Sequence, residues 1–164
     1  MPGAITNTSP LLYLGRIGGL DWLREIFDTV WVPTAVIAEL DEGRARGFDV
    51  PAVTGLSWLE TIDPRSTPSE WLSLDLGAGE LAAMALALEN PARVVLLDDG
   101  LARRTAHAAG LTTWGTLRIL LEAKGQALIP DVAPFVERLA ASGMWISPEI
   151  RRRILVLAGE DHGG

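Results

Sequence analysis

The sequence contains no cysteine, only two histidines and a single lysine among 164 residues. Without cysteine there is no disulfide framework, no thiolate zinc or iron–sulfur site and no thiol nucleophile. His107 and His162 alone argue against a histidine-rich zinc site. No apolar run approaches the ~18–20 residues of a membrane span. The opening stretch MPGAITNTSP has neither the positive flank nor the apolar core of a signal peptide. The expectation is a soluble cytoplasmic protein. Basic residues are also scarce: 14 against 21 acidic, for a net charge of −7. That balance opposes broad electrostatic attraction to nucleic acid or to an anionic membrane. A local basic track, or phosphate bridged by a metal, stays compatible with it.

What is present describes a folded chain. Hydrophobic residues make up 48% and charged residues 21%, with a mean hydropathy of +0.23. The length suits one domain over residues 1–164. Short apolar bursts at 3–6, 29–32, 57–62, 93–97 and 110–114 read as strands, and the run at 93–97 suits burial on both faces of a parallel sheet. Helical spacing is read over 11–17, 20–27, 34–40, 81–88, 100–109, 116–124, 130–141 and 148–157. Ser9-Pro10 reads as an N-cap followed by proline at the first helical position. Residues 41–47 and 63–70 read as loops. Strands alternating with helices predict an α/β fold, a three-layer α/β/α sandwich with a mostly parallel central sheet.

In such folds ligands sit outside the carboxyl ends of the strands. Asn7, Asp98, Asp99 and Thr116 fall there. Asp98 and Asp99 directly after a buried strand are costly unless helix amides or a divalent cation compensate. Asp99 alone also suits helix capping, with an i,i+4 partner in Arg103. Glu39 flanks the apolar arc of its helix, and Glu80 sits in the first turn of another, where a carboxylate complements the dipole. Gly77-Ala78-Gly79-Glu80-Leu81-Ala82 fits a dinucleotide-binding glycine pattern, with Asp98 about 20 residues on. The residues before it, however, are not the apolar strand that motif requires. His107 reads as part of a solvated helix face. Residues 151–153 read as the charged shoulder of a terminal helix, less often as a contact for RNA or a partner. The six tryptophans read as core or interface, with Trp58, Trp71 and Trp145 near loops and open to either role.

The order of motifs resembles a known family. Ile5-Thr6-Asn7-Thr8-Ser9-Pro10-Leu11 is followed by Val32-Pro33, Val36-Ile37 and Glu39-Leu40, then Gly77-Ala78-Gly79-Glu80. Leu96-Leu97-Asp98-Asp99 with Ala102-Arg103 comes next, then Gly115-Thr116-Leu117, and the tail Gly143-Met144-Trp145-Ile146-Ser147-Pro148-Glu149. This resembles the PIN-domain superfamily, in a bacterial and archaeal branch of nucleic-acid-binding type that is similar to VapC toxins. The resemblance covers residues 4 to 157. It implies a metal-dependent phosphodiesterase, most often an endoribonuclease, and a toxin held by a small antitoxin protein. It also implies a homodimer and an RNA substrate. Hard oxygen ligands and no thiols suit Mg²⁺ or Mn²⁺.

Carried over from that pattern, Glu39, Asp98 and Asp99 would be metal ligands, and Glu39, Glu80, Asp98 and Asp99 the catalytic acids. Asn7, Ser9, Arg103 and Thr116 would hold water, phosphate or the acids themselves. One departure matters. The pattern's first acid, at the end of the first strand, is Asp, and here the position holds Asn7, which keeps a carbonyl oxygen and loses the charge. A weakened enzyme, a non-catalytic RNA- or protein-binding descendant and a silenced protein all fit this. A dinucleotide binder is the remaining alternative.

Overall fold

The computed structural model describes residues 2–161; His162 lies outside them. Five short strands form one sheet: β1 (Ala4–Thr6), β2 (Val30–Val32), β3 (Leu59–Thr61), β4 (Val94–Leu96) and β5 (Thr113–Trp114). They run in the order β3-β2-β1-β4-β5, and every pairing is parallel. The register is direct, with Ile5 beside Trp31 on one side and Val95 on the other. The order reverses direction at β1. The crevice between the ends of β1 and β4 is therefore the topological switch point, where ligands collect in open α/β sheets.

Eight α-helices connect and cover these strands among the described residues: α1 (Thr8–Arg16), α2 (Trp22–Ile26), α3 (Thr34–Ala45), α4 (Ala78–Glu89), α5 (Gly100–Ala108), α6 (Thr116–Gly125), α7 (Ala133–Ala141) and α8 (Pro148–Leu157). Alternation along the strands sorts them into layers. Ala4, Val94 and Leu96 face one core with Leu11, Leu23, Ile119 and Leu139, from α1, α2, α6 and α7. Ile5, Val95 and Leu97 face the other, with Met84 from α4 and Ala102 and Ala106 from α5. Three layers result, as the alternation of strands and helices predicts. Each fully buried Leu or Ile contributes about 1.5–3 kcal/mol relative to exposure.

Several boundaries differ from the sequence reading, each for a local reason. α1 begins at Thr8, so Asn7 and not Ser9 holds the cap position, in extended backbone and with no capping side-chain bond. Pro10 is tolerated inside the first turn because N–H groups there have no intrahelical acceptor. α3 runs on through the expected loop to Ala45. Arg44–Asp41 at 3.0 Å and Arg46–Glu42 at 2.7 Å support that last turn. Gly47, at φ +88°, then ends it, a backbone geometry glycine adopts without strain. Residues at the end of the expected loop 63–70 join a 3-10 turn, Ser69–Ser73, that buries Trp71. α7 starts at Ala133, three residues later than expected.

The candidate site at the sheet's carboxyl edge

Asn7 follows β1 and is 3% exposed. Its N–H donates to the Leu96 carbonyl at 3.1 Å, which ties the end of β1 to the end of β4. Its side-chain oxygen, Oδ1, is buried without a hydrogen-bond partner among the described residues. A buried acceptor left unmet is uncommon and carries a desolvation penalty.

Glu39 reaches the same place from α3. The Thr8 hydroxyl donates to its Oε2 at 2.8 Å, and the Gly79 N–H donates to Oε1. The approach of Gly79 is close. A Cβ added there would lie 2.6 Å from Glu39 Oε1 and 3.0 Å from Asn7 Oδ1. Glycine at this position lets the N-terminus of α4 settle onto both side chains. Neither Thr8 nor Gly79 was singled out in the sequence for this role; the glycine pattern was the available signal, and it reads equally as a dinucleotide loop.

The glycine pattern does open a helix. Gly77 caps α4, and its N–H donates to Glu80 Oε1 at 2.9 Å. Yet the 3-10 turn precedes it in place of a strand. The dinucleotide alternative therefore lacks the strand–loop–helix context it requires. Glu80 lies half-buried beside this cap. Burial pushes its carboxyl above the ordinary range against the Gly77 bond, and the charges of Asp99, Glu39 and Asp75 push further. Those charges place Glu80 among the other acids.

Asp98 stands on the β5 side of the crevice. Thr116, fully buried at the start of α6, donates to both its oxygens, from N–H at 2.7 Å and from Oγ1 at 2.8 Å. Burial raises the Asp98 pKa, opposed by the two Thr116 bonds and by the charge of Arg103. Arg103 and Asp98 flank Gly115 together, where a Cβ would sit 2.9 Å from Arg103 Nη1 and 3.2 Å from Asp98 Oδ1. Among the described residues Arg103 forms an ion pair with neither Asp98 nor Asp99, and it approaches Asp98 across Gly115. Asp99 is exposed and caps α5, accepting the Ala102 N–H at 2.9 Å. Ser9 lies half-buried in the first turn of α1 and has no side-chain bond among the described residues. His107 bonds Thr113 Oγ1 at 2.7 Å on the exposed face expected of it.

The site residues fall into two groups along the sheet's carboxyl edge. Asn7, Glu39, Gly79 and Glu80 form one, and Asp98, Thr116 and Arg103 the other. Among the described residues no three His, Cys, Asp or Glu side chains gather closely enough to hold a metal by themselves. The candidate ligands along this edge are all hard oxygens, and one of them, Asn7 Oδ1, has its acceptor capacity unspent. That donor set suits a hard divalent cation.

No curated protein matches the chain. Among solved structures it resembles a PilT N-terminus domain protein from the hyperthermophilic archaeon Sulfolobus solfataricus, with a TM-score of 0.51. Identity is 13%, over 88% of this chain and 97% of that one, a likeness of fold. No helix among the described residues is long and apolar enough to cross a membrane. A family model described as a PIN domain matches residues 3–160. With that match spanning nearly the whole chain, and with the parallel sheet and acid-lined switch point beneath it, the protein belongs to the PIN-domain family.

Proposed function

We propose that the protein is a metal-dependent endoribonuclease of PIN type, weakened by Asn7 at the position of the first acid. The observation that carries this is the approach of Asn7 and Glu39 to Gly79, with Asn7 Oδ1 buried there and unpartnered among the described residues. Glu39 and Asp98 would hold Mg²⁺ or Mn²⁺, with Asp99 and the Asn7 carbonyl as further oxygen donors. A bound cation of this kind neutralises phosphate charge and lowers the pKa of water.

The chain's own groups supply the rest. Glu80, held above the ordinary carboxylate range, is suited to take a proton at its carboxyl and return it to the leaving oxygen. Arg103 is placed to contact phosphate, and its charge partly offsets the effect of burial on Asp98. Thr116 and Thr8 fix the two acids, so that no reorganisation is needed when substrate arrives. The role of toxin, the small antitoxin covering the acidic site, and a homodimer belong to the same reading.

The test is hydrolysis of a single-stranded RNA by the wild type and by Asn7→Asp, with Mn²⁺ and with chelator. Faster, chelator-sensitive cleavage by Asn7→Asp is expected. Cleavage that ignores chelator, or none in either protein, overturns the reading. The missing charge at Asn7 favours a second reading, a non-catalytic binding module. Calorimetry showing no Mn²⁺ uptake by wild type or Asn7→Asp, with RNA still bound, would support it.

A further inference from the structure

A groove of about 540 Å³ opens from Asp98 and runs between the start of α6 and the segment from Met144 to α8. Its composition departs from that of the chain. Three arginines line it, Arg103, Arg118 and Arg153, against one carboxylate, Asp98, in a protein of net charge −7. None of the three is in an ion pair among the described residues. The neighbouring Arg151 and Arg152, outside the groove, do pair, with Glu137 and Asp161.

The groove also carries Trp145, which is 84% exposed, beside Ile150 and Leu157, also exposed. The other tryptophans are packed within the fold, Trp58 against the core, and Phe48, 62% exposed, lies outside the groove. Trp22 packs on Phe135, Trp114 on Phe27, Trp31 lies under Arg93, and Trp71 is buried. Arg118 itself lies over the Trp114 ring at 4.7 Å, which holds its guanidinium along the groove wall. Unpaired cations alternating with an open aromatic face are what a polyanion with stackable bases needs. An acidic helix would satisfy the arginines and leave no use for the flat tryptophan.

We propose that this groove is the path by which single-stranded nucleic acid reaches Asp98, with a base stacked on Trp145 and phosphates on Arg118, Arg153 and Arg103. This rests on the nuclease reading and deepens it. The path explains how an acidic protein holds a polyanion: the attraction is local to one groove and acts at contact distance.

Anisotropy with a labelled single-stranded RNA, in excess chelator so that nothing is cut, tests it. DNA of the same sequence forms a parallel arm and separates the two polynucleotides. Trp145→Ala should weaken RNA binding about tenfold, since stacking contributes on that order per base. The double variant Arg118→Gln with Arg153→Gln should lower the salt dependence by about one ion per arginine removed. All three side chains are exposed, so the fold is expected to survive, which circular dichroism checks. Wild-type binding of single-stranded RNA that none of these substitutions changes overturns the path and leaves the hydrolysis assay to judge the nuclease reading. Loss of a dimer in Trp145→Ala with RNA binding intact assigns the face to a second copy of the chain, and also overturns it.

Discussion

Thr116 donates to both oxygens of Asp98, one from its backbone and one from its hydroxyl, across 18 residues and at the buried start of α6. Both oxygens of Asp98 are thereby satisfied, as are those of Glu39. The pair sets Asp98 in one orientation, facing Arg103. Thr116→Val keeps the shape and removes the hydroxyl. It should cost about 1–3 kcal/mol, the penalty of a buried acceptor losing its donor. Thermal denaturation would read this as a fall of several degrees, and Thr116→Ser should recover most of it.

Asp98 also predicts a pH effect. Burial holds its carboxyl above the ordinary range in the folded chain. A group raised in this way stabilises fully below its unfolded pKa of about 3.9, and that contribution is lost as pH rises through the folded value. Asp98→Asn cannot lose it, and its amide can still meet both Thr116 groups. The variant should be more stable than wild type at pH 7, with the gap closing towards pH 3. Urea unfolding at the two pH values measures it; hydrolysis by the Asn7→Asp protein should disappear when Asp98→Asn is added.

Gly79→Ala should separate site from fold. The added Cβ meets the far end of Glu39, a flexible side chain that can move away, and lies 3.0 Å from Asn7 Oδ1, which must give by a few tenths of an ångström. Alanine is also the better helix former by about 1 kcal/mol. Stability should change little, while Mn²⁺-dependent hydrolysis by the Asn7→Asp protein should fall at least tenfold.

Asp99 has two separable roles. Its cap on α5 should make Asp99→Ala cost about 1 kcal/mol, whereas Asp99→Ser keeps the cap and loses the charge. If Asp99 acts only as a cap, Asp99→Ser retains full hydrolysis. The nuclease reading expects hydrolysis to drop in both variants and stability in one.

Glu160 governs acid stability far from the site. Burial would raise its carboxyl, but the Lys124 ammonium at 2.9 Å and the Val132 and Ala133 N–H groups outweigh this and hold it below the ordinary range. A lowered carboxylate stabilises above its unfolded pKa, about 4.3, and loses that contribution as pH falls through the folded value. Glu160→Gln should therefore be less stable at pH 7 and show a shallower loss of stability in acid. Unfolding at pH 7 and pH 3 compares the slopes.

The sheet was legible because its strands are bursts of apolar residues, and Val94, Val95, Leu96 and Leu97 are all buried, as the run suggests. Helix ends were harder. The extension of α3 depends on Arg44 and Arg46 finding acids on their own helix, and the start of α1 on the backbone of Asn7 and not on a side-chain cap. Within the site, Glu39 could be placed on the edge of its helix, but nothing local told that its oxygens would be met by Thr8 and Gly79. Helical spacing pairs Arg103 with Asp99, whereas in the fold it approaches Asp98 across Gly115 and ion-pairs with neither. Contacts between distant segments are set by how layers stack, which spacing along one element does not encode.

The sheet order β3-β2-β1-β4-β5 has a consequence for when the site comes to exist. Glu39 meets Gly79 across 40 residues, and Asp98 needs Thr116 from beyond the last crossover. Parallel pairing makes no hairpin, so none of these contacts forms early or alone. The first 100 residues carry every acid of the site, but the partners of Asp98 come later in the chain. The Asp98 half of the site is complete only once the edge strand β5 has delivered the start of α6 to the sheet.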